Sequence, residues 1–136
     1  MEHALSKEVY WLVLTVFMTA VMWVPYIFNH ILETGGLKAF WDPYGDTANK
    51  AAWADRMMHA HLNAVENLVI FAPLVLLIEI THLNSPLTAT AAMIYFFARL
   101  MHFWVFTFAV PYLRVLTFLM GFAMQMILVA RLFQYI

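Results

Sequence analysis

The sequence contains no cysteine, and this absence excludes several kinds of chemistry at once. Without cysteine the chain cannot form a disulfide, supply its own thiolate nucleophile or bind a metal through sulfur. A thiol that takes part in a reaction here must therefore arrive with a ligand. Charge of either sign is also in short supply, and the net charge of −1 gives no basis for a nucleic-acid partner.

The scarcity of charged residues points to a membrane environment. Charged residues make up 11% of the 136 residues, whereas soluble domains carry about 25%. Hydrophobic residues reach 65%, which leaves too little polar surface to cover a water-soluble globule. The composition predicts a single integral membrane domain that is surrounded by lipid.

Four long apolar runs predict an all-α bundle of four transmembrane helices, because about 20 residues are needed to cross the hydrocarbon core. The predicted spans cover residues 8–31, 48–82, 87–110 and 111–135. Residues 33–47 hold several glycine and proline turn formers and are predicted to form a polar loop. Pro25 lies inside the first span, where a proline is expected to kink the helix.

The distribution of cations predicts how the chain crosses the membrane. Four spans place both termini on one side, together with Lys7 and Arg131. The other five cations belong to the side of the long loop, although one of them lies inside a span: Lys38, Lys50, Arg56, Arg99 and Arg114. The positive-inside rule then predicts a cytoplasmic loop and both termini outside the cytoplasm, which for a bacterial protein means the inner membrane.

The second span begins with an unusual polar stretch, "DRMMHAHLNAVENLVIF", residues 55–71. Five of its polar side chains fall within about a 100° arc of a helix and form one stripe: Arg56, His59, Asn63, Glu66 and Asn67. Ionisable groups at membrane depth are costly unless they face protein or a wet cavity. We therefore expect the whole stripe to face the inside of the bundle.

The third and fourth spans offer partners for this stripe. Arg99 and His102 share one face of the third span, and Arg114 lies near the start of the fourth. We expect Arg99 or Arg56 to neutralise Glu66. The remaining excess of arginine predicts a pocket for an anionic ligand. The alternative is that these polar groups only tie helices together, as they often do in membrane bundles.

These motifs together resemble a known family. "RMMHAHLNAVENLVIF" resembles the second-helix motif of the MAPEG superfamily, membrane-associated proteins in eicosanoid and glutathione metabolism. "YFFARLMHFWVFTFAVPYLRVLTFLMGF" resembles the family's third and fourth helices, with an Arg-x-x-His pair and a later Arg. The resemblance implies a left-handed four-helix bundle, a homotrimer and an active site between subunits. It also implies glutathione as cosubstrate and a lipophilic small molecule as substrate.

The resemblance carries roles over to individual residues. Arg114 is at the position of the arginine that stabilises the glutathione thiolate, and is the expected catalytic residue. Six further residues match positions expected to bind the cosubstrate: Arg56, His59, Asn63, Glu66, Arg99 and His102. No metal ligand is expected.

The sequence also departs from the family pattern. His59 replaces an arginine and Phe106 replaces a tyrosine, so a bidentate contact and a hydroxyl donor are both missing. Asn29 and His30 stand where glutathione-binding members have an arginine. Two functions therefore stay open, a thiol-dependent transferase or peroxidase, and a non-catalytic binding or accessory subunit. A haem held by facing histidines, or a proton or ion site at Glu79, is a third alternative.

Overall fold

The computed structural model describes residues 4–41 and 49–136, and every regular element among them is helical. The elements are α1 (Lys7–Val21), α2 (Val24–Thr34), a short 3-10 helix (Leu37–Trp41), α3 (Ala52–Ile80), α4 (Pro86–Thr107) and α5 (Leu113–Leu132). Within the described residues, four segments are long and apolar enough to cross a membrane: Lys7–Thr34, α3, α4 and α5. The predicted all-α architecture with four spans is confirmed.

The first span is broken into two helices at Met22 and Trp23, just before Pro25. Pro25 occupies the first turn of α2, where its fixed φ suits the helix and its missing N–H leaves no bond unmade. The break therefore lies where the sequence predicts a kink. Tyr26 follows at once, and its Oη hydrogen-bonds to Nδ1 of His61 on α3 at 2.7 Å, which holds α2 against the bundle.

The polar loop is shorter at its start than the sequence suggests, because α2 continues to Thr34. Gly35 then ends the helix in the left-handed conformation, with φ 82°. At the other end α3 begins at Ala52. Residues 42–48, which include the last part of the predicted loop and the predicted start of the second span, lie outside the described residues.

The turn between α4 and α5 is longer than predicted. α4 ends at Thr107, and Ala109 adopts a positive φ of 55° that no helix can continue. Tyr112 does the same at φ 64°, so α5 begins at Leu113 rather than at Pro111. The backbone N–H of Leu113 donates to the Pro111 carbonyl at 2.7 Å and closes this turn.

α4 is the central helix of the bundle and packs against α1, α3 and α5. Two apolar clusters fill the interior, one toward the termini and one toward the long loop. The first contains Leu12, Phe71, Val75, Ile78, Ala91, Ala92, Tyr95, Met124 and Leu128. The second contains Met22, Tyr26, Ala54, Met57, Ala60, Ala64 and Phe103. Buried polar side chains on α4 lie between the two clusters, since Arg99 and His102 fall between Tyr95 and Phe103.

The terminal end of the bundle is held by carboxylates that accept hydrogen bonds from hydroxyl groups. Glu8 is buried on α1 and accepts from the Thr88 hydroxyl on α4. Glu79 at the end of α3 accepts from Ser6 at 2.6 Å and from the Asn84 amide at 2.8 Å. These contacts join the first, second and third spans.

The loop end is tied by Glu33. Its carboxylate accepts from the backbone N–H groups of Lys50 and Ala51, each at 2.9 Å, and from the Asn29 amide at 2.8 Å. Because α3 begins directly after Ala51, Glu33 supplies acceptors that this helix start otherwise lacks. The tie fixes the end of the first span to the start of the second.

Candidate functional site

A cavity lined by three polar and three apolar side chains opens at the loop end of the bundle, where α3, α4 and the start of α5 meet. Its volume is about 210 Å³. Its walls are formed by Asn63, His102, Phe106, Arg114, Val115 and Phe118. We call this cavity the Asn63 pocket. It brings together three of the residues that the sequence assigns to a site, one from each of α3, α4 and α5.

Arg99 lies behind the Asn63 pocket and is almost fully buried, with 2% of its surface exposed. Its Nη2 donates to the Asn63 side-chain oxygen at 2.6 Å, while Nε makes no hydrogen bond. Among residues 4–41 and 49–136, no carboxylate forms an ion pair with it. A guanidinium buried beside an amide alone carries an uncompensated charge, which an anion in the pocket would offset.

The predicted pairing of Glu66 with Arg99 or Arg56 is wrong. Glu66 is exposed on the outer face of α3, and within the described chain it makes no ion pair. Arg56 instead donates from Nε to the carbonyl of Thr107 at 2.8 Å, where it satisfies the last residue of α4. Arg56 therefore ties α3 to α4 and does not line the Asn63 pocket.

The prediction that the whole polar stripe of α3 faces inward is also wrong for His59. His59 is exposed, and its Nδ1 bonds to the Asp55 carbonyl at 2.8 Å. The helices α4 and α5 cover only part of the stripe, and the edge that carries His59 and Glu66 remains open in the single chain. Asn63 lies at the centre of the stripe and reaches the pocket, whereas His59 and Glu66 lie at its outer edge.

His102 forms the inner wall of the pocket and is held in one tautomer. Its Nδ1 lies 3.1 Å from the Arg114 carbonyl and 3.1 Å from the Thr117 hydroxyl oxygen. A carbonyl only accepts, so Nδ1 must carry the hydrogen. Nε2 of the neutral ring is then an acceptor, and it is buried without a partner. His102 thus fixes the first turn of α5, from which Arg114 projects.

Arg114 is the exposed cation of the site. Its guanidinium carbon lies 5.2 Å from the centre of the Phe106 ring, a cation–π contact. No carboxylate within the described part of the chain pairs with it. Phe106 cannot donate a hydrogen bond as a tyrosine would, but its ring holds the guanidinium at the mouth of the pocket. Arg114 is therefore free to meet an anion there.

Several residues of this region have no counterpart among the predicted site residues. Thr117 accepts from His102, and Val115 and Phe118 line the pocket. Gln125 is buried on the same side of α5 and donates to the Asn67 carbonyl at 3.2 Å. A signal was present in the sequence, because Thr117, Gly121 and Gln125 repeat every four residues in an otherwise apolar helix.

The structure adds nothing in favour of a metal or haem. Across residues 4–41 and 49–136, no group of three or more His, Asp or Glu side chains is arranged to hold a metal ion. His102 lines the Asn63 pocket whereas His59 does not, and both use Nδ1 for a backbone carbonyl. The facing-histidine alternative therefore has no supporting pair in these two residues.

Comparison with protein families gives one match. The model of the MAPEG family matches residues 9–134, which is nearly the whole chain. Neither curated proteins nor solved structures give a match. The family match agrees with the four helices that are long and apolar enough to span a membrane. The chain belongs to the MAPEG family of integral membrane proteins.

Proposed function

We propose that the Asn63 pocket binds glutathione or a similar anionic thiol and uses it against a lipophilic substrate. One observation carries this proposal. Arg99 and Arg114 have no carboxylate partner among the described residues; Arg114 lines the Asn63 pocket, and Arg99 lies behind it and donates to Asn63. Two unpaired guanidinium groups favour a ligand with at least one negative charge. Glutathione offers carboxylates and a thiol that ionises.

The chemistry follows from the exposed position of Arg114. A cation beside a thiol favours its ionised form, and the thiolate is the nucleophile. In a transfer reaction the sulfur forms a bond to an electrophilic carbon, and the leaving group departs with its electron pair. In a peroxidase reaction the thiolate attacks the outer oxygen of a hydroperoxide, so that an S–O bond forms as the O–O bond breaks, and the departing alkoxide takes a proton from water to give the alcohol. A second glutathione then converts the sulfenic acid to the disulfide and releases water. Arg114 stabilises the thiolate in both cases.

A lipophilic substrate has a suitable surface next to the pocket. An apolar groove of about 300 Å³ lies between α4 and α5, on the other side of Thr117. Its walls are Ile94, Phe97, Ala98, Met101, Leu116, Thr117 and Met120. Because Thr117 also bonds to His102 in the Asn63 pocket, the apolar and polar sites share one helix turn. An acyl chain from the bilayer could therefore approach the thiol.

A second copy of the chain would complete the site. The Asn63 pocket, at about 210 Å³, is smaller than the ~300 Å³ at which ligand sites usually begin. His59 and Glu66 are exposed at the outer edge of α3, and exposed ionisable groups at membrane depth need protein around them. A homotrimer, as the family implies, would bring such groups to the pocket of a neighbouring subunit.

One set of contacts favours the second candidate function, a binding or accessory subunit without catalysis. Asn29 and His30 replace the arginine of glutathione-binding members, and neither is available to a ligand. Asn29 donates to Glu33 at 2.8 Å and to Asn49 at 3.0 Å, while His30 is buried. A glutathione carboxylate would lose that contact, and binding would be weaker than in a member that keeps the arginine.

The orientation in the membrane can be tested on the natural chain because it has no cysteine. We propose that the termini lie outside the cytoplasm and the loop inside, from the excess of cations at the loop end. Single cysteines at Leu5 and at Lys38, both exposed positions, would be labelled with an impermeant maleimide on intact cells. Labelling of Leu5→Cys alone supports this orientation, and labelling of Lys38→Cys alone reverses it.

Glutathione binding is the decisive test of the function. The purified protein would be titrated with glutathione to about 10 mM and followed by thermal shift and calorimetry. That concentration gives about 1.4 kcal/mol of stabilisation even at a Kd of 1 mM. We expect saturable stabilisation that Arg114→Ala weakens and Arg114→Lys partly keeps. Lys50→Ala removes an equal charge outside the pocket and serves as the control.

The outcomes separate the two functions. Binding that depends on Arg114 supports a thiol-using enzyme, and turnover would then be measured with electrophiles and lipid hydroperoxides. Binding without turnover supports the accessory role. Absence of binding, with Arg114→Ala and the natural protein melting alike, rejects glutathione as the ligand.

A further inference from the structure

The 3-10 helix Leu37–Trp41 presents large apolar side chains to its surroundings directly after the first span. Leu37, Phe40 and Trp41 are 84%, 74% and 87% exposed, and the helix contains no buried residue. Its main packing partner among the described elements is α2. A cluster of exposed apolar side chains on a segment that connects two spans marks an interaction surface.

The geometry of a 3-10 helix sorts its side chains onto three faces, because residues three apart lie above one another. Leu37 and Phe40 share one face, and Lys38 and Trp41 share the next. Ala39 occupies the third face and is half-buried, whereas the other four residues are exposed. The helix therefore turns one small side chain toward the protein and presents an apolar face and an amphipathic face outward.

Two glycines give the 3-10 helix its own direction. Gly35 and Gly36 both have φ 82°, a left-handed conformation that glycine adopts without strain. The N–H of Gly36 donates to the Ile31 carbonyl at 3.0 Å and closes α2. The N–H of Ala39 then donates to the Gly36 carbonyl at 3.0 Å and begins the 3-10 helix. The chain therefore leaves the axis of α2 at the end of the span instead of continuing along it.

The lengths of the helices place the end of α2 near the lipid headgroups. α3 has 29 residues and is about 43 Å long, which matches the ~40–45 Å thickness of a bilayer with its headgroups. Glu33 accepts from the backbone N–H groups of Lys50 and Ala51, so the end of α2 lies beside the start of α3. The 3-10 helix follows Glu33 after one short turn and therefore starts from the same depth.

Aromatic side chains occur at two other helix termini on this end of the bundle. Trp53 lies in the first turn of α3 and Tyr112 immediately precedes α5, and both are exposed. Tryptophan and tyrosine favour the interface between acyl chains and headgroups. Their positions indicate that this interface surrounds the end of the bundle from which the 3-10 helix starts.

We propose that the 3-10 helix lies in the headgroup region of the loop-side leaflet, with Leu37 and Phe40 toward the acyl chains and Lys38 at the lipid phosphates. Trp41 suits this level because its indole ring is apolar and its N–H can donate a hydrogen bond. Lys38 forms no ion pair with a carboxylate of residues 4–41 and 49–136, and its alkyl stem can lie along lipid while the ammonium group reaches a phosphate. This interaction does not depend on glutathione as the ligand of the Asn63 pocket.

Depth measurement with spin labels tests the proposal directly, because the natural chain has no cysteine to remove. Leu37→Cys, Lys38→Cys and Phe40→Cys would each carry a nitroxide in protein reconstituted into vesicles of phosphatidylcholine with a minority of phosphatidylglycerol. Oxygen concentrates among the acyl chains and a nickel chelate in water, so the ratio of their collision rates with the label reports its depth. Spin-labelled lipids calibrate the scale, and Lys50→Cys, an exposed position at the same end, serves as the water-accessible control.

The expected result is a difference in depth between neighbouring positions of one short helix. Labels at Leu37 and Phe40 should collide several-fold more with oxygen than with the chelate, at a depth of about 5–10 Å, as for apolar faces of interfacial helices. The label at Lys38 should lie between these labels and the one at Lys50. The amphipathic face would then remain accessible from water.

Phe40→Ser and Ala39→Ser provide a test variant and its control. Phe40→Ser removes apolar area from the face that is proposed to enter the membrane, so a label at Leu37 should shift toward the chelate. Ala39→Ser adds a hydroxyl on the face turned toward the protein and should leave that label at its depth.

Three results would overturn the proposal. If labels at Leu37 and Phe40 favour the chelate as strongly as the label at Lys50, the 3-10 helix lies in water. If both labels are shielded from oxygen and chelate alike, protein covers this surface, as a second copy of the chain would. If Phe40→Ser and Ala39→Ser give the same depth at Leu37, the apolar face does not hold the helix in the membrane.

Discussion

The Arg99 guanidinium donates to the Asn63 side chain at 2.6 Å inside the membrane, with an amide oxygen where a carboxylate would neutralise it. This hydrogen bond joins α3 to α4, but it does not neutralise the positive charge of Arg99. Arg114, for which residues 4–41 and 49–136 provide no carboxylate partner, adds a second cation on α5 at the mouth of the same pocket. Under the proposed function, these two positive charges attract the anionic ligand to the Asn63 pocket.

Asn63→Asp would test this use of charge. The substitution keeps the size of the side chain and gives Arg99 a carboxylate partner, so the folded protein should keep its Tm or gain slightly. The neutralised pocket should bind glutathione more weakly, on the order of tenfold or about 1.4 kcal/mol. Calorimetry and thermal unfolding would measure the two effects separately. Unchanged affinity in a folded variant would contradict a role for the Arg99 charge in binding.

His102 should be important for the placement of Arg114 rather than for the charge of the pocket. His102→Leu removes the Nδ1–H donor to the Arg114 carbonyl, with an expected loss of about 1 kcal/mol of stability and a weaker affinity for glutathione. His102→Asn keeps an N–H donor near the same place and should restore most of both. Equal damage by the two variants would show that the hydrogen bond is not what His102 contributes.

Thr88 and Thr90 provide a test position and its control for the contacts at the terminal end of the bundle. Thr88 donates to the buried Glu8 carboxylate and takes part in the cap of α4, whereas Thr90 is exposed and bonds only within its own helix. Thr88→Val should lower the free energy of unfolding by about 1–3 kcal/mol, since it leaves a buried carboxylate short of a donor. Thr90→Val should leave the Tm nearly unchanged. Thermal unfolding of both variants decides whether burial of Glu8 has this cost.

Substitutions of Glu33 and Glu66 should distinguish an effect on stability from an effect on glutathione binding. Glu33→Gln weakens the acceptors for Lys50 and Ala51, so the start of α3 should fray and become more sensitive to protease. Glu66→Gln loses no contact that the structure records, so its Tm should match the natural protein. If a neighbouring subunit brings Glu66 to the pocket, Glu66→Gln alone should change the affinity for glutathione. Limited proteolysis, thermal unfolding and calorimetry on the two variants would distinguish these effects.

Much of the fold could be predicted because bilayer thickness and hydrophobicity impose strong rules on a chain of this composition. The four spans, the break near Pro25 and the membership of Asn63, His102 and Arg114 in one site all follow from spacing and motif. The hydrogen-bond partners of individual side chains could not be predicted from spacing and motif. Arg56 satisfies the end of α4, and that end depends on the positive φ of Ala109, which no periodicity reveals.

The rotation of α3 about its own axis could likewise not be predicted from a helical wheel. A wheel places His59, Asn63 and Glu66 on one stripe but cannot tell which part of that stripe α4 covers. The rotation of α3 is set by its small buried residues, Ala54, Ala60 and Ala64, which let neighbouring helices approach closely. Alanine is so common in helices that its positions alone gave no clear signal.

The Glu33 tie has a consequence for how this family member can vary. The Glu33 side chain closes the loop between the first and second spans, because it joins the end of α2 to the residues just before α3. The entropy of closing the intervening segment grows only with the logarithm of its length. Insertions or deletions between residues 37 and 48 should therefore leave the helices and the Asn63 pocket in place. The length of the loop at this end of the bundle can therefore vary independently of the helices that form the Asn63 pocket.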